Sequence, residues 1–349
     1  MQTKQEFAQF ITQLFASDAL KQSIAHHLNT CKDKKRHLGF IVGDILTFYT
    51  ITRSTNCSKK LLNRVIENAV KHNYDYGFLV EIVYEELAEQ NKKQNKPTNA
   101  NYIIHQVIEN YVTNGFLLHA FTSANLKSVL EKGLNPRHRL FEEERKLLNS
   151  VSMYDFEHTS NRLFVTGNYR VLYSYGSLSP EWVYYYFKNS DVMYDKNYTN
   201  AYQIFMQKAR LKLNCPNRLK QTEQAAKRVF RFYLKKEHTI QIAVLDKLAK
   251  DSNDKPLFKN YNYDEDDLDA EIYLDELKTK HYIKKEDILT SIHKIIQFYS
   301  PYERSALTQF KKEDFGLIEL PQYQEFEKYM TQQNEVTLNP SQTETNLEL

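Results

Sequence analysis

Glycine is scarce in this chain: eight among 349 residues, at positions 39, 43, 77, 115, 133, 167, 176 and 316. No grouping of them gives GxGxxG, GxxxxGKS or GxxxxGKT, which excludes a Rossmann fingerprint and a P-loop. Cysteine is scarcer still. Cys31, Cys57 and Cys215 are odd in number and far apart, which argues against a disulfide framework and fits a reducing compartment. CxxC, HExxH and EF-hand patterns are all missing, so no metal site is expected. Neither sign of charge dominates. Lys and Arg number 47 against 44 Asp and Glu, and the net +3 does not by itself imply a nucleic-acid partner. No apolar run approaches the roughly 18 residues of a membrane span. The start, Met1-Gln2-Thr3-Lys4-Gln5-Glu6, lacks the charged and apolar regions of a secretory signal. A cytoplasmic chain with no membrane contact is the expectation.

What is present suffices for a core. Hydrophobic residues make up 41% and aromatics 13%, and 25 tyrosines mean that many buried rings bring a hydroxyl that needs a partner. Residues 1–92 carry helical stripes: Phe7, Phe10, Ile11 and Leu14; Leu61, Leu62, Val65, Ile66 and Val70; Phe78, Leu79, Ile82, Val83 and Leu87. These predict a helical module. The polar, lysine-rich run around Pro97 predicts a linker over 93–100. Beyond it, Tyr102 to Val112 reads as a helix stopped at Asn114-Gly115. Phe116 to His119 reads as a strand. Ser123 opens a helix that ends at Gly133. Residues 200–237 read as two helices, 239–245 and 270–274 as strands, and the last helices run to about 330. The tail 331–349, rich in Gln, Asn, Thr and Glu, is expected to be disordered.

Three short blocks carry chemistry. Leu117-Leu118-His119-Ala120-Phe121-Thr122-Ser123 is a strand holding a histidine. Phe164-Val165-Thr166-Gly167-Asn168-Tyr169-Arg170-Val171-Leu172-Tyr173-Ser174-Tyr175 is a strand, a Gly-Asn turn and a helix start that presents two tyrosines. Ala270-Glu271-Ile272-Tyr273-Leu274 sets a glutamate on a late strand. Each has an ordinary explanation. A histidine at a strand end is commonly structural, tyrosines after a turn are commonly core with a wet hydroxyl, and Glu271 sits in the acidic run 264–271, which resembles a solvated loop.

In their order and spacing, residues 115–290 resemble the ADP-ribosyltransferase superfamily, in its His-Tyr-Glu branch of diphtheria toxin, exotoxin A and the poly(ADP-ribose) polymerases. The stretch Asn125-Leu126-Lys127-Ser128-Val129-Leu130-Glu131-Lys132-Gly133-Leu134 also looks like the DNA-modifying toxins of that superfamily. The resemblance covers about half the chain. It implies an α+β fold, in which the helical module of 1–92 precedes an ADP-ribosyltransferase-like split β-sandwich with helical insertions over 101–330. It also implies NAD as co-substrate, bound in the cleft between two small sheets.

The roles implied are these. Glu271 stabilises oxocarbenium character on the ribose as the nicotinamide bond breaks, as carboxylates do in glycoside cleavage. Tyr175 stacks on nicotinamide, with Phe164 or Tyr173 completing the aromatic clamp. His119, with Thr122 close behind, holds a ribose hydroxyl. Glu265 and Glu276 remain alternatives to Glu271. The chain departs from the pattern in having Ala120 and bulky Phe121 where the family has glycine after the histidine. It also has Asp269 two residues before the glutamate, which disfavours an arginine-specific enzyme. The implied activity is mono-ADP-ribosyl transfer to a protein or nucleic acid, with an NAD glycohydrolase or a non-catalytic adaptor of the same fold as rivals. Such a chain acts in its own cell or is delivered into a target cell without a signal peptide. Finally, the basic stretch between Arg210 and Lys236 is either a solvated helix face or a dock for an acidic partner.

Overall fold

The structure is a computed structural model. It describes residues 3–71, 77–136, 163–172, 210, 215–230, 240–260, 272, 275–277, 279, 285–298 and 304–338. Helix and sheet are mixed. Five helices open the chain: α1 (Lys4–Ala16), α2 (Asp18–Leu28), α3 (Lys34–Thr52), α4 (Lys59–Lys71) and α5 (Gly77–Lys93). Thr3 starts α1 through a capping box with Glu6, which satisfies two orphan donors at once. The Asp33 carboxylate caps α3 at the Arg36 amide. From Leu38 to Thr52 nearly every α3 side chain is buried, so this helix is the axis on which α2, α4 and α5 pack.

Then come α6 (Ala100–Val107), extended by a wider π turn over Ile108–Thr113, and strand β1 (Phe116–Thr122). A 3-10 turn at Ser123–Asn125 leads to α7 (Leu126–Lys132). Gly133 stops α7 with φ +73, where a side chain would also collide with the Phe310 carbonyl. The remaining elements are β2 (Leu163–Val165), α8 (Pro216–Phe230), β3 (Ile240–Asp246), β4 (Lys259–Asn260), α9 (Lys285–Phe298), β5 (Arg304–Ala306), β6 (Gly316–Leu320) and α10 (Tyr323–Leu338).

The strands form two small antiparallel sheets, ordered β1-β3-β6 and β2-β5-β4. Leu118 and Thr166 exchange both backbone hydrogen bonds at 3.0 and 2.9 Å, which ties the second sheet to the outer edge of β1. The first sheet is buried on both faces. Phe116, Leu118, Ile240, Ile242, Val244, Ile318 and Leu320 join the core made by the N-terminal helices. Leu117, Phe121, Ala243 and Leu245 point the other way, into a cluster shared with Leu163 and Val165 of β2 and Ala306 of β5. Period-2 alternation is the cause: neighbours on a strand face opposite sides. With apolar cover on both sides, β3 reads Ile-Gln-Ile-Ala-Val-Leu, a near-continuous apolar run.

Several expectations change. The boundary at 92 does not divide the core, because α1 lies along β6 and the N-terminal helices share one cluster with β1, β3 and β6. Lys4 pairs with Asp246, and the Thr12 hydroxyl accepts from the Glu319 amide at 3.1 Å. Helix α5 runs through Lys93, and α6 starts at Ala100, so in place of a domain linker over 93–100 there is a short helix–helix connection, 94–99. The tail is helical as far as Leu338, with Tyr329 donating to Asp18 at 2.7 Å; 339–349 lie outside the described residues. Where a strand was expected over 270–274, Ile272 is helical, as are 275–277. Strands β5 and β6 stand where helices were expected. Among the described residues, no helix is long and apolar enough to cross a membrane.

Two outcomes follow for stability. Ile242→Ala, at a fully buried position of the central strand, should cost about 2–5 kcal/mol in urea unfolding. Deleting residues 1–92 should yield a chain without a cooperative thermal transition by circular dichroism, because one side of β1, β3 and β6 would lose its cover.

Candidate functional site

Alternation along β1 places His119 on the same side as Leu117 and Phe121, facing the cluster between the sheets rather than the helices. Its partner across the ladder is Ala243, whose small side chain leaves room for a ring. The imidazole is half-buried and lies 6.1 Å from the Phe121 ring at 23°. Its Nδ1 is 2.7 Å from the Phe164 carbonyl oxygen. A carbonyl can only accept, so Nδ1 carries the proton and donates. In the neutral ring Nε2 is then the lone-pair nitrogen. Ala120, the residue after His119, packs against the helical core on the opposite face.

Of the expected site residues, His119 and Phe164 are brought together, on adjacent strands, with Phe164 opposite Ser305 of β5. Thr122 ends β1 opposite Ile240. Tyr173, Tyr175, Glu271 and Glu265 lie outside the described residues. Glu276 is exposed on a helical residue. Of the basic stretch, α8 is described, and Arg218 and Lys220 on it are exposed. Among the described residues no group of His, Cys, Asp and Glu is placed to hold a metal. An open groove of about 680 Å³ runs between α1 and β6, lined by Gln5, Gln9, Thr12 and Leu317, away from His119.

The turn after β2 is held from every side. Thr166 pairs with Leu118. The Asn168 amide donates to the Thr166 hydroxyl at 2.9 Å, and the Asn168 side chain accepts from the Arg170 amide at 3.3 Å, an Asx-type turn. Tyr111 donates to the Gly167 carbonyl at 3.3 Å, and Tyr169 donates to the Phe116 carbonyl at 2.8 Å. Arg170 then reaches into the helical core. Its Nε and Nη2 donate to the two Asp44 oxygens at 2.6 and 2.8 Å, a bidentate fork. Asn68 adds a third donor to Asp44 at 3.1 Å, and the guanidinium lies 5.3 Å from the Phe40 ring centre. Asp44 is fully buried and Arg170 is 7% exposed. Burial pushes the Asp44 carboxyl above the usual carboxylate range, against the opposing pull of Arg170.

None of Asp44, Asn68, Tyr111 and Tyr169 stands out in the sequence as a functional residue. One signal was available: Asp44 is the lone charge in the apolar run from Phe40 to Phe48, and a buried carboxylate requires a cation. Nothing in the sequence named Arg170 as that cation.

Burial pushes the Tyr169 hydroxyl from 10.0 up to about 12. A raised value in the fold means that the neutral phenol favours folding. Its contribution is complete below pH 10, the ordinary value, and is lost as pH rises toward about 12. Tyr169→Phe should therefore lose about 1–3 kcal/mol at pH 8, where the Phe116 carbonyl is left unpaired. Denaturant titrations at pH 8 and 11 should show the wild type losing more stability on alkalinisation than this variant.

Comparison of the chain with family models, with curated proteins and with solved structures returns no match, so the chemistry of the site rests on its own residues.

Proposed function

We propose that this chain is an NAD-dependent mono-ADP-ribosyltransferase acting on a protein or nucleic acid. The supporting observation is His119: an imidazole on β1, oriented by the Phe164 carbonyl of the neighbouring strand so that Nε2 is an acceptor. An acceptor nitrogen beside two joined antiparallel sheets suits a ribose hydroxyl. The two sheets tied at Leu118 and Thr166 are compatible with a split β-sandwich. The turn at 166–170 is fixed against β1, and the chain then runs directly into Tyr173 and Tyr175, the proposed aromatic clamp with Phe164.

The reaction breaks the bond between nicotinamide nitrogen and ribose C1. Nicotinamide leaves with the electron pair. An acceptor nucleophile then bonds to C1 and gives up its proton. Positive charge on the ribose peaks in the transition state, so a carboxylate near the 2-hydroxyl binds that state more tightly than the ground state. Glu271 is the proposed carboxylate, with Glu265 and Glu276 as the others to compare. Thr122, three residues after His119 at the end of β1, is proposed as a further NAD-binding residue. Exposed Arg218 and Lys220 on α8 are proposed to meet an acidic acceptor.

The test is incubation with NAD labelled on the adenylate half, in cell extract and in buffer. Wild type should transfer label to a macromolecule. Glu271→Gln should lower kcat on the order of 100- to 1,000-fold while still binding NAD. A full rate in that variant, with loss in Glu265→Gln or Glu276→Gln, would reassign the carboxylate. His119→Ala should raise KM for NAD roughly fivefold, the loss of about 1 kcal/mol for one hydrogen bond. Free ADP-ribose in both conditions would make the chain an NAD glycohydrolase. No NAD consumption would make it a binding or adaptor protein.

A further inference from the structure

Helix α3 meets the turn after β2 at two consecutive residues. Asp44 forks onto Arg170 across 126 residues of sequence. Next to it, Gly43 lies so close that a Cβ there would collide with the Arg170 backbone. Gly43 and Asp44 thus form a seat: one residue allows the backbone to approach, and the other holds it by charge. The seat is dry, since Asp44 is fully buried and Arg170 is 7% exposed.

What the seat holds leads to His119. Arg170 is braced to Asn168 and Asn168 to Thr166. Thr166 is paired in both directions with Leu118, the residue before His119. Tyr169 bonds the Phe116 carbonyl on the same strand. β2 is short, Leu163–Val165, and this turn fixes its end against β1. The Phe164 carbonyl that orients His119 lies two residues before Thr166.

We infer that Gly43, Asp44 and Arg170 are positioning residues for His119. Seated on α3, the turn holds the end of β2 beside β1 through the Leu118–Thr166 bridge and so keeps the Phe164 carbonyl on His119 Nδ1. None of the three touches the imidazole in the contacts described; they act through residues 166–169 and Phe164. A role for His119 in NAD turnover rests on the transferase proposal above, but its orientation by the seat does not.

Removing Asp44 alone would strand a buried guanidinium and unfold the chain as readily as test it. The informative variant is the double replacement Asp44→Leu with Arg170→Met, since exchanging a buried ion pair for apolar side chains of similar size is often neutral for stability. Gly43→Ala is the second variant, displacing the turn by sterics with the charges kept. Each is compared with wild type by thermal melting, by nitrogen NMR of the His119 ring and by kcat/KM for NAD. The expected result is a cooperative melt with the Nδ1–H tautomer signature of His119 lost or averaged, and kcat/KM down by up to about fivefold, the effect expected of His119→Ala, through KM. A folded double variant with the wild-type His119 signature overturns the inference. A changed signature with unchanged KM in an active enzyme supports the seat and removes His119 from NAD binding. If the wild type consumes no NAD, the transferase proposal has failed, and the His119 signature alone decides the seat.

Discussion

Burial of one small sheet on both faces constrains most of this molecule. β1, β3 and β6 have helices on one side and the second sheet's cluster on the other, so alternate residues serve two cores. Each fully buried Leu, Ile or Val contributes roughly 1.5–3 kcal/mol by leaving water. A slip of one residue would exchange the two sets and push His119 into the helical core. The same pleat that packs Leu118 against α-helical side chains therefore delivers His119 to the opposite face. The register that makes the fold also sets the face on which His119 lies.

The second constraint is the ion pair between Asp44 and Arg170. Taking two charges out of water is unfavourable, and a fork with an added amide donor offsets that cost without a large surplus. Such a pair contributes less to stability than to uniqueness. Only one seating of the turn on α3 satisfies both charges, and any other leaves a charge buried and unpaired. Gly43 makes the same choice by sterics, since the backbone of Arg170 fits only where no side chain stands. A helix near the start of the chain thus becomes part of the frame that holds a turn far downstream beside β1.

Helices at both ends of the chain close this frame. α1 covers β6, and α10 packs on α2 through Lys21 with Glu325 and Tyr329 with Asp18. The N-terminal helices are therefore structural cover for the sheet as well as a bundle in their own right.

Much of this was legible in the sequence. The stripes of α1, α4 and α5, the strand at His119, the strand at 240–246 and the stop at Gly133 all follow from local periodicity and cap chemistry, which a short window contains. The strands β5 and β6 were not legible, because Arg304–Ala306 and Gly316–Leu320 are too short to show a period distinct from a helix turn. Of the strand expected over 270–274, Ile272 is described and is helical, and the other four residues lie outside the described residues; short apolar runs do not separate the two states. The sequence by itself determined the N-terminal helices, the lack of nucleotide-loop and metal motifs, and the presence of His119 on a strand. Only the tertiary structure decided that the helical module and the sheet share a core, that Phe164 orients His119, and that Asp44 meets Arg170. Those facts depend on which distant segments return to touch, and desolvation rewards such meetings only when both partners arrive; no local pattern records them.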